Sequence, residues 1–367
     1  MQQVDLEGKG IRLVLKGNVL GVFSEKPLKT VSSAFHNGGG IKDTSVILNV
    51  EVPKGYGDTS LHMNPDELIL DSSKKFGVTG DFVSMVTAAR VKNFALASKR
   101  EGDLGVSVIA TAADDEGNTC DHAESAGEPI DGQVVETGTI NIIVIIDGNP
   151  TDSCLVSSII TSTEAKSAAM LELDIRSRYS GTAATGTITD AIVVAETCKG
   201  PSVWFGGPAS KLGQLVASCT RQAVLEAIMK GRECSPKRSL LDRLAARHLS
   251  VEKIAHELAK IERFNANSEK LSAIISSMIQ SKPQYAAVLF SAVKLDEEVQ
   301  NGTLPPEFGN IAELSRKFGE LINRNCENHQ GDMPQLSADE LALANLPPFT
   351  KQALVASVRK VLLDANN

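Results

Sequence analysis

A loop rich in glycine and threonine, residues 181–189, leads to an acidic residue that precedes an apolar run. Thr185, Gly186 and Thr187 supply small side chains and hydroxyls, which suit close contact with a polar ligand. Asp190 follows, directly before the sequence AIVVA at 191–195. A carboxylate at the start of a strand is a candidate general base or a hydrogen-bond anchor. A tight turn explains the glycines equally well.

A carboxylate and an ammonium group interrupt an alanine-rich segment that is predicted to be helical. Glu164 and Lys166 lie within the sequence TSTEAK at 161–166. Because they are two residues apart, they point to different faces of a helix and do not pair directly. We expect one of them to line a cleft and the other to be solvated.

Two polar side chains precede three consecutive glycines near the amino terminus. His36 and Asn37 are followed by Gly38, Gly39 and Gly40. Glycines without side chains let backbone N–H groups approach a ligand oxygen closely. The alternative interpretation is a flexible turn between two strands.

The charge balance argues against several classes of partner. The 367 residues include 37 Lys and Arg against 45 Asp and Glu, a formal charge of −8. An acidic chain with 4% aromatic residues has neither the basic surface nor the rings that nucleic-acid binding uses. The chain has no apolar run of about 18 residues and begins with a polar segment, so we expect no membrane span and no leader. Six widely spaced cysteines form no CxxC pair, which favours reduced thiols and a cytoplasmic location.

The periodicity of apolar residues predicts the elements that position these groups. Alternating or fully apolar runs predict strands at 11–15, 19–23, 44–52, 104–111, 139–146 and 188–195. Spacing of three and four residues predicts helices at 81–97, 151–173 and 210–230. Asp81 would be the N-cap of the first helix and Ser210 the N-cap of the third.

The chain changes character near residue 232, which predicts two domains. Before this point strands alternate with helices and glycine-rich turns, which predicts an α/β domain, an α+β sandwich with a mixed sheet, over residues 1–232. After it, apolar residues recur at helical spacing, which predicts an all-α domain over residues 233–367. Residues 231–238 are predicted to be the linker. Ser250 is the expected N-cap of an early helix in the second domain.

Several separate blocks of the first domain, in order, resemble the adenosylcobinamide amidohydrolase family over about residues 10–230. They are SSA at 32–34, NGG at 37–39, NVEVPKGY at 49–56, TINIIV at 139–144, ITSTEAK at 160–166, TGTITDAIVVA at 185–195 and SKLG at 210–213. The resemblance implies hydrolysis of the amide that joins aminopropanol to the corrin ring of adenosylcobinamide. The product would be adenosylcobyric acid for cobamide salvage.

Amide hydrolysis needs a base or nucleophile, stabilisation of the oxyanion, and a proton for the departing amine. We place the base on Asp190 or Glu164 and the oxyanion donor on Asn37 or Asn141. Lys166 would be an electrostatic support or the proton donor. An acyl-enzyme route through a threonine stays open, and the candidate nucleophiles are Thr139, Thr185 and Thr187. The expected substrate-binding residues are His36, Gly38, Gly39, Thr185, Gly186, Thr187 and Lys211.

Residues 240–350 are similar to the phosphatidylglycerophosphatase A-like family, one branch of which acts on α-ribazole phosphate. The similar blocks are LSVEKIA at 249–255, VKLDEE at 293–298, GTLPP at 302–306 and DELALAN at 339–345. This similarity implies a phosphatase whose acidic residues hold Mg²⁺, and these are Asp296, Glu297, Asp339 and Glu340.

The second domain departs from that family at two places. Ala287 stands where a histidine is expected, and LPPF at 346–349 replaces a polar, glycine-rich segment. An acidic helix face in a non-catalytic bundle is therefore the alternative. For the whole chain, the alternatives to a bifunctional amidohydrolase are an amidohydrolase with a non-catalytic helical domain and a corrinoid-binding protein without turnover. No cofactor is assigned to the first domain, and the oligomeric state is left open, a homo-oligomer included.

Overall fold

The computed structural model describes residues 2–6, 10–53, 65–112, 138–187, 189–231, 238–324 and 336–366. The chain divides into two compact units, Met1–Lys237 and Arg238–Asn367, and each is described by itself. Within the described residues, no helix is both long and apolar enough to cross a membrane.

The first unit is built on a mixed sheet of nine strands. The strands of the unit are β1 Gln2–Leu6, β2 Ile11–Lys16, β3 Val19–Ser32, β4 Gly39–Glu51, β5 Val83–Thr87, β6 Ala95–Glu101, β7 Leu104–Ala112, β8 Ile140–Asp147, β9 Asn149–Pro150, β10 Ala191–Glu196 and β11 Ser202–Val203. The main path of the sheet runs β1-β2-β3-β10-β8-β7-β6, while β4 pairs with β3 and with β5. The pairs β8/β10 and β4/β5 are parallel, and the other neighbours are antiparallel. Short β9 and β11 form a separate parallel pair.

Two helices cover one face of the central strands. They are α2 Asp152–Glu172 and α3 Lys211–Gly231, and a shorter α1 spans Asp66–Phe76. Ile142, Val144 and Ile146 of β8 belong to the core under these helices, whereas Ile143 and Ile145 belong to a second core on the other face. Strand β8 is therefore buried on both sides, which confirms the prediction of a central strand at 139–146.

The predicted helices at 151–173 and 210–230 are confirmed as α2 and α3, and Ser210 caps α3 by accepting the N–H of Gly213 at 3.0 Å. The predicted helix at 81–97 is wrong, because this segment forms β5, a 3₁₀ turn at Val91–Asn93 and β6. Positions 83, 85 and 87 also fit a period of two, and parallel pairing of β5 with β4 decides for the strand. Asp81 consequently caps no helix.

The described part of the second unit consists of helices and two 3₁₀ turns. The helices are α4 Leu240–Ala245, α5 Val251–Ala259, α6 Ser268–Ser281, α7 Pro283–Asn301, α8 Ile311–Arg324, α9 Ala338–Ala342 and α10 Pro348–Asn366. Ser250 caps α5 by accepting the N–H of Lys253, as predicted. Leu258, Leu271, Leu289 and Phe349 are among the fully or almost fully buried side chains of its core.

Candidate active site at the start of the central strands

Asp190 lies at the point where the parallel strands β8 and β10 begin, and its carboxylate accepts four hydrogen bonds. Oδ1 accepts the N–H of Ile140 at 2.9 Å and the hydroxyl of Thr187. Oδ2 accepts the N–H of Thr187 at 3.1 Å and the ammonium group of Lys166. The carboxylate thus ties the glycine- and threonine-rich loop to the start of β8 and to helix α2.

Lys166 projects from α2 into the same cluster. Its side chain is 8% exposed and that of Asp190 is 12% exposed, so the ion pair is almost completely removed from solvent. Gly186 makes room for the pair, because a Cβ at this position would lie 2.8 Å from both Lys166 Nζ and Asp190 Oδ2. The loop glycine therefore packs closely against the charged groups, and its φ angle is not in the left-handed region.

A pair of threonine hydroxyls lies next to this cluster along the chain. Thr139 Oγ1 is 2.8 Å from Thr189 Oγ1, and either hydroxyl can donate. Thr139 is almost fully buried and precedes Ile140, whose N–H binds Asp190. Thr189 was not among the residues predicted from the sequence, although its position beside Asp190 in the same loop was a usable signal.

Asn141 connects strands that are not its neighbours in the sheet. Its amide group donates to Asn49 Oδ1 on β4 at 2.8 Å and to the carbonyl of Val86 on β5 at 2.7 Å. Its Oδ1 accepts the N–H of Ala191 at 3.2 Å, while Asn49 donates to Thr111 on β7 at 2.8 Å. These bonds draw β4 and β5 towards β7 and β8, which curls the sheet. Both N–H groups of Asn141 are used, which leaves none for a substrate oxyanion in this arrangement.

His36 is fixed beside the start of β5. Its ring nitrogen Nδ1 is 2.9 Å from Asp66 Oδ1, and its ring stacks on Phe82 with centroids 4.7 Å apart. Its backbone exchanges two hydrogen bonds with Ser84, at 3.0 and 3.1 Å. The histidine is thus held on three sides, in a position that sequence patterns alone did not link to Asp66.

The residues after His36 form a tight turn. Asn37 has a φ of 54° and donates from Nδ2 to the carbonyl of Phe82 at 3.0 Å. A Cβ on Gly38 would lie 1.9 Å from the carbonyl oxygen of Ala34, and Gly39 has a φ of 91°. The turn geometry therefore accounts for these two glycines.

Ser33 anchors that turn to the start of β10. Its Oγ accepts the N–H of Ile192 at 3.0 Å, and its own N–H donates to the carbonyl of Ile192 at 3.0 Å. Because Ile192 is two residues from Asp190, the segment from Ser33 to Asn37 begins at the same end of the sheet as the Asp190 cluster. The predicted residues of this segment and those of the threonine-rich loop therefore both lie near the start of β10.

Three predicted residues have other placements. Glu164 is exposed on α2, two residues from buried Lys166, as the helical spacing predicted. Lys211 forms a surface ion pair with Glu101 at 3.0 Å. Thr185 contributes its carbonyl, which accepts the hydroxyl of Ser167 at 2.7 Å. None of the hydrogen bonds or ion pairs described for Glu164 and Lys211 reaches Asp190.

Another buried carboxylate, which was not among the residues predicted from the sequence, lies at the other end of β10. Glu196 is fully buried, and neither of its side-chain oxygens has a hydrogen-bond partner among the described residues. Lys29 Nζ is 3.6 Å from Glu196 Oε1 and forms a closer ion pair with Asp152. Burial, only partly offset by Lys29, raises the pKa of Glu196 to about 7. The signal was available, since Glu196 has the same strand parity as the buried residues Ile192 and Val194.

Three of the four acidic residues that were predicted to hold Mg²⁺ have partners within the second unit. Asp296 accepts the N–H groups of Phe349 at 2.9 Å and Thr350 at 2.7 Å, which caps the start of α10. Glu297 binds Arg247 at 2.6 Å and Lys294 at 2.7 Å.

The other two acidic residues belong to α9. Glu340 forms a capping box with Ser337 and an ion pair with Arg263 at 3.0 Å, and Asp339 is exposed in the same first turn. No group of three or more His, Cys, Asp or Glu side chains that could hold a metal ion is found among the described residues. The donors that Mg²⁺ requires are therefore not assembled there.

Comparison with known proteins gives three kinds of similarity. A family model described as adenosylcobinamide amidohydrolase matches residues 7–236. An uncharacterized protein of Methanocaldococcus jannaschii is 31% identical over 205 residues, which is 52% of this chain and 79% of the relative. The adenosylcobinamide amidohydrolase of Methanosarcina mazei is 29% identical over 199 residues, which is 53% of this chain and 83% of the relative.

Among solved structures, a β-aminopeptidase of a Burkholderia species is similar over 62% of this chain and 82% of its own, with 10% identity and a TM-score of 0.31. The L-aminopeptidase D-Ala-esterase/amidase of Ochrobactrum anthropi covers 60% of this chain and 83% of its own, with 10% identity and a TM-score of 0.27. These TM-scores are too low to define a shared fold.

Proposed function

Because the chain belongs to the adenosylcobinamide amidohydrolase family, we propose that it hydrolyses the amide between aminopropanol and the corrin ring of adenosylcobinamide. The products are adenosylcobyric acid and free aminopropanol. The observation that supports this proposal best is the buried contact of Lys166 with Asp190, whose second oxygen holds the hydroxyl of Thr187. A hydroxyl, a carboxylate and an ammonium group in series are the components that amide hydrolysis needs.

We place the nucleophile on Thr187, because its hydroxyl donates directly to a carboxylate. Thr187 Oγ1 attacks the carbonyl carbon of the substrate amide, and its proton passes to Asp190. Lys166 is held on the other oxygen of Asp190, so it stabilises the negative charge of the carboxylate before the transfer.

The amide bond then breaks, and the departing amine takes a proton from Lys166. Asp190 returns its proton to Lys166, which restores the ion pair. In the second half of the reaction a water molecule attacks the acyl ester on Thr187 and gives a proton to Asp190. When the ester bond breaks, Asp190 returns that proton to Thr187 Oγ1, which restores the hydroxyl and the carboxylate. Asn37 is the proposed donor to the oxyanion, because the one hydrogen bond described for its amide group uses one of its two N–H atoms.

Thr139 is the second candidate for the nucleophile. Its hydroxyl contacts the hydroxyl of Thr189, where donor and acceptor can exchange, and it is buried at the start of β8. The two candidates are separated by trapping the acyl-enzyme and identifying the modified peptide by mass spectrometry. An ester on Thr187 supports the first assignment, and an ester on Thr139 moves the nucleophile to the start of β8.

The activity is tested by incubating the full chain with adenosylcobinamide, with and without EDTA, followed by mass analysis of the products. We expect adenosylcobyric acid and aminopropanol in equal amounts. Since all proposed groups are side chains, EDTA should leave the rate unchanged. If the corrinoid binds and is recovered intact, the amidohydrolase proposal fails and the alternative of a corrinoid-binding protein without turnover takes its place.

An α-ribazole-phosphate phosphatase activity of the second unit stays a prediction. It requires Asp296, Glu297 and Glu340 to give up their present partners and to bind Mg²⁺ together with the exposed Asp339. The check is release of inorganic phosphate from α-ribazole phosphate by the full chain with Mg²⁺. If no phosphate is released, the alternative of a non-catalytic helical domain is retained.

A further inference from the structure

A cavity of about 390 Å³ lies between three helices of the second unit. Helix α8 contributes one wall, α9 the second and α10 the third. Its apolar lining consists mainly of Leu336, Leu341, Pro348 and Val355. This volume is in the range of small-molecule sites, and apolar walls with a few polar groups are typical of them.

The charged groups around the cavity are predominantly cationic. Arg316, Lys351 and Arg359 line it, and among the described lining residues Glu320 is the one carboxylate. Glu320 forms an ion pair with Arg316 on the same helix. The lining therefore carries two more positive charges than negative charges, in a chain whose formal charge is −8.

Two of these cations are held where their charge is unfavourable. Arg359 is 9% exposed, and burial together with the charge of Arg263 lowers its pKa against the opposing effect of Glu340. Burial also lowers the pKa of Lys351, against the opposing effect of Glu257, and its ammonium group donates to the carbonyl of Leu341 at 3.1 Å. An anion in the cavity would offset this cost, because it interacts with both charges in a partly desolvated environment.

We propose that this cavity binds a small organic anion, with an apolar body against the leucine and valine walls and its anionic group near Lys351 and Arg359. Phosphate monoesters and carboxylates share this chemistry. The site is separate from the Asp190 cluster, which belongs to the other unit. The acidic residues expected to hold Mg²⁺ do not line it.

The probe is 1-naphthyl phosphate, whose ring system and charge match the cavity, titrated into the full chain by calorimetry. 1-Naphthol and inorganic phosphate are the comparison ligands. We expect saturable binding of the ester and at least about 10-fold weaker binding of naphthol, because naphthol lacks the charged group that accepts charge-assisted hydrogen bonds.

Two variants test the location of the site. Lys351→Met removes one charge and should weaken the ester about 10-fold or more. Ala342→Trp places a large side chain at an exposed lining position and should block binding without removing a charge. Lys317→Met is the matched control, since Lys317 is an exposed cation of α8 that pairs with Glu313 and does not line the cavity.

The melting temperature and the rate of adenosylcobinamide hydrolysis are measured for each variant, so that loss of folding is recognised. The proposal is overturned by equal binding of ester and naphthol, by no binding of the ester at millimolar concentration, or by unchanged binding in both cavity variants. Binding that Lys317→Met weakens as much as Lys351→Met also overturns it, because general surface charge then explains the result.

Discussion

Strand β10 carries a buried carboxylate at each end, and the two are held in opposite ways. Asp190 precedes the strand and accepts four hydrogen bonds, one of them from Lys166. Glu196 ends the strand and has no hydrogen-bond partner among the described residues, while Lys29 remains at 3.6 Å. Burial alone therefore does not define a working acid or base, since the donors around a carboxylate decide which protonation state is stable.

The contrast predicts that only one end of the strand is needed for catalysis. Asp190→Asn should lower the rate of adenosylcobinamide hydrolysis by at least about 100-fold, because an amide cannot accept the proton of Thr187. Glu196→Gln is the matched control and should retain a rate close to that of the unchanged protein. Product formation by both variants is measured by mass analysis, and equal rates would remove Asp190 from the mechanism.

The ion pair at the start of β10 should also be important for stability. Lys166→Met leaves a buried carboxylate without its charged partner, and removal of one member of such a pair costs about 3–5 kcal/mol. The free energy of unfolding is measured with urea at pH 7.

A double variant, Lys166→Met with Asp190→Leu, provides the control. It should recover a large part of the loss, because no buried charge remains. If the single and double variants are equally unstable, the loss comes from packing and the electrostatic explanation is wrong.

The sequence predicts more of the order of strands and helices in this unit than of the contacts at the site. Strand β8, which is apolar except at Asn141 and Asp147, and the long α2 were predictable because their patterns fit one structure only. Segment 81–97 was not, because its apolar spacing fits a helix and a strand, and pairing with β4 settles it. The grouping of Asp190, Thr187 and Lys166 also depends on the return of α2 along the sheet, which local sequence does not specify.

The roles of individual site residues could not be predicted because their partners are distant in sequence. Asn141 was a candidate oxyanion donor by residue type, but its partners Asn49 and Val86 come from strands that are distant in sequence. From the sequence, Gly38 and Gly186 were both predicted to contact the substrate. The structure gives them different reasons, a close backbone oxygen for Gly38 and a charged pair for Gly186. The residue type indicates which donors and acceptors a side chain has. Its hydrogen-bond partners decide which of these atoms remain available to a substrate.

At the other end of β10, Glu196 should make stability depend on pH. Its pKa is raised from 4.5 to about 7 in the folded state, so between these values the folded protein holds more protons than the unfolded chain. Stability must therefore fall as pH rises through this window. Glu196→Gln removes the effect and should make the protein more stable at pH 8 by up to about 3 kcal/mol, with little difference at pH 4.5.

Urea unfolding of both proteins at several pH values measures this effect. Glu164→Gln is the control, because it makes the same chemical change at an exposed position and leaves Glu196 in place. A difference between Glu196→Gln and the unchanged protein that does not vary from pH 4.5 to 8 would show that Glu196 does not titrate in this window.

The smallest effect is expected for Gly186→Ala, which crowds the Asp190 end of β10 without changing a charge. The Cβ of Gly186→Ala would lie 2.8 Å from Lys166 Nζ and from Asp190 Oδ2, which are the ends of side chains and can shift by a few tenths of an ångström. The shift lengthens the contact between the two charges, so we expect a loss of rate of about 10-fold, which corresponds to about 1.4 kcal/mol. Gly207→Ala is a suitable control, since a Cβ there meets no atom within 4 Å. A Gly186→Ala protein with an unchanged rate would mean that the spacing of Lys166 and Asp190 is not important for the reaction, and the ion pair would then be needed for stability alone.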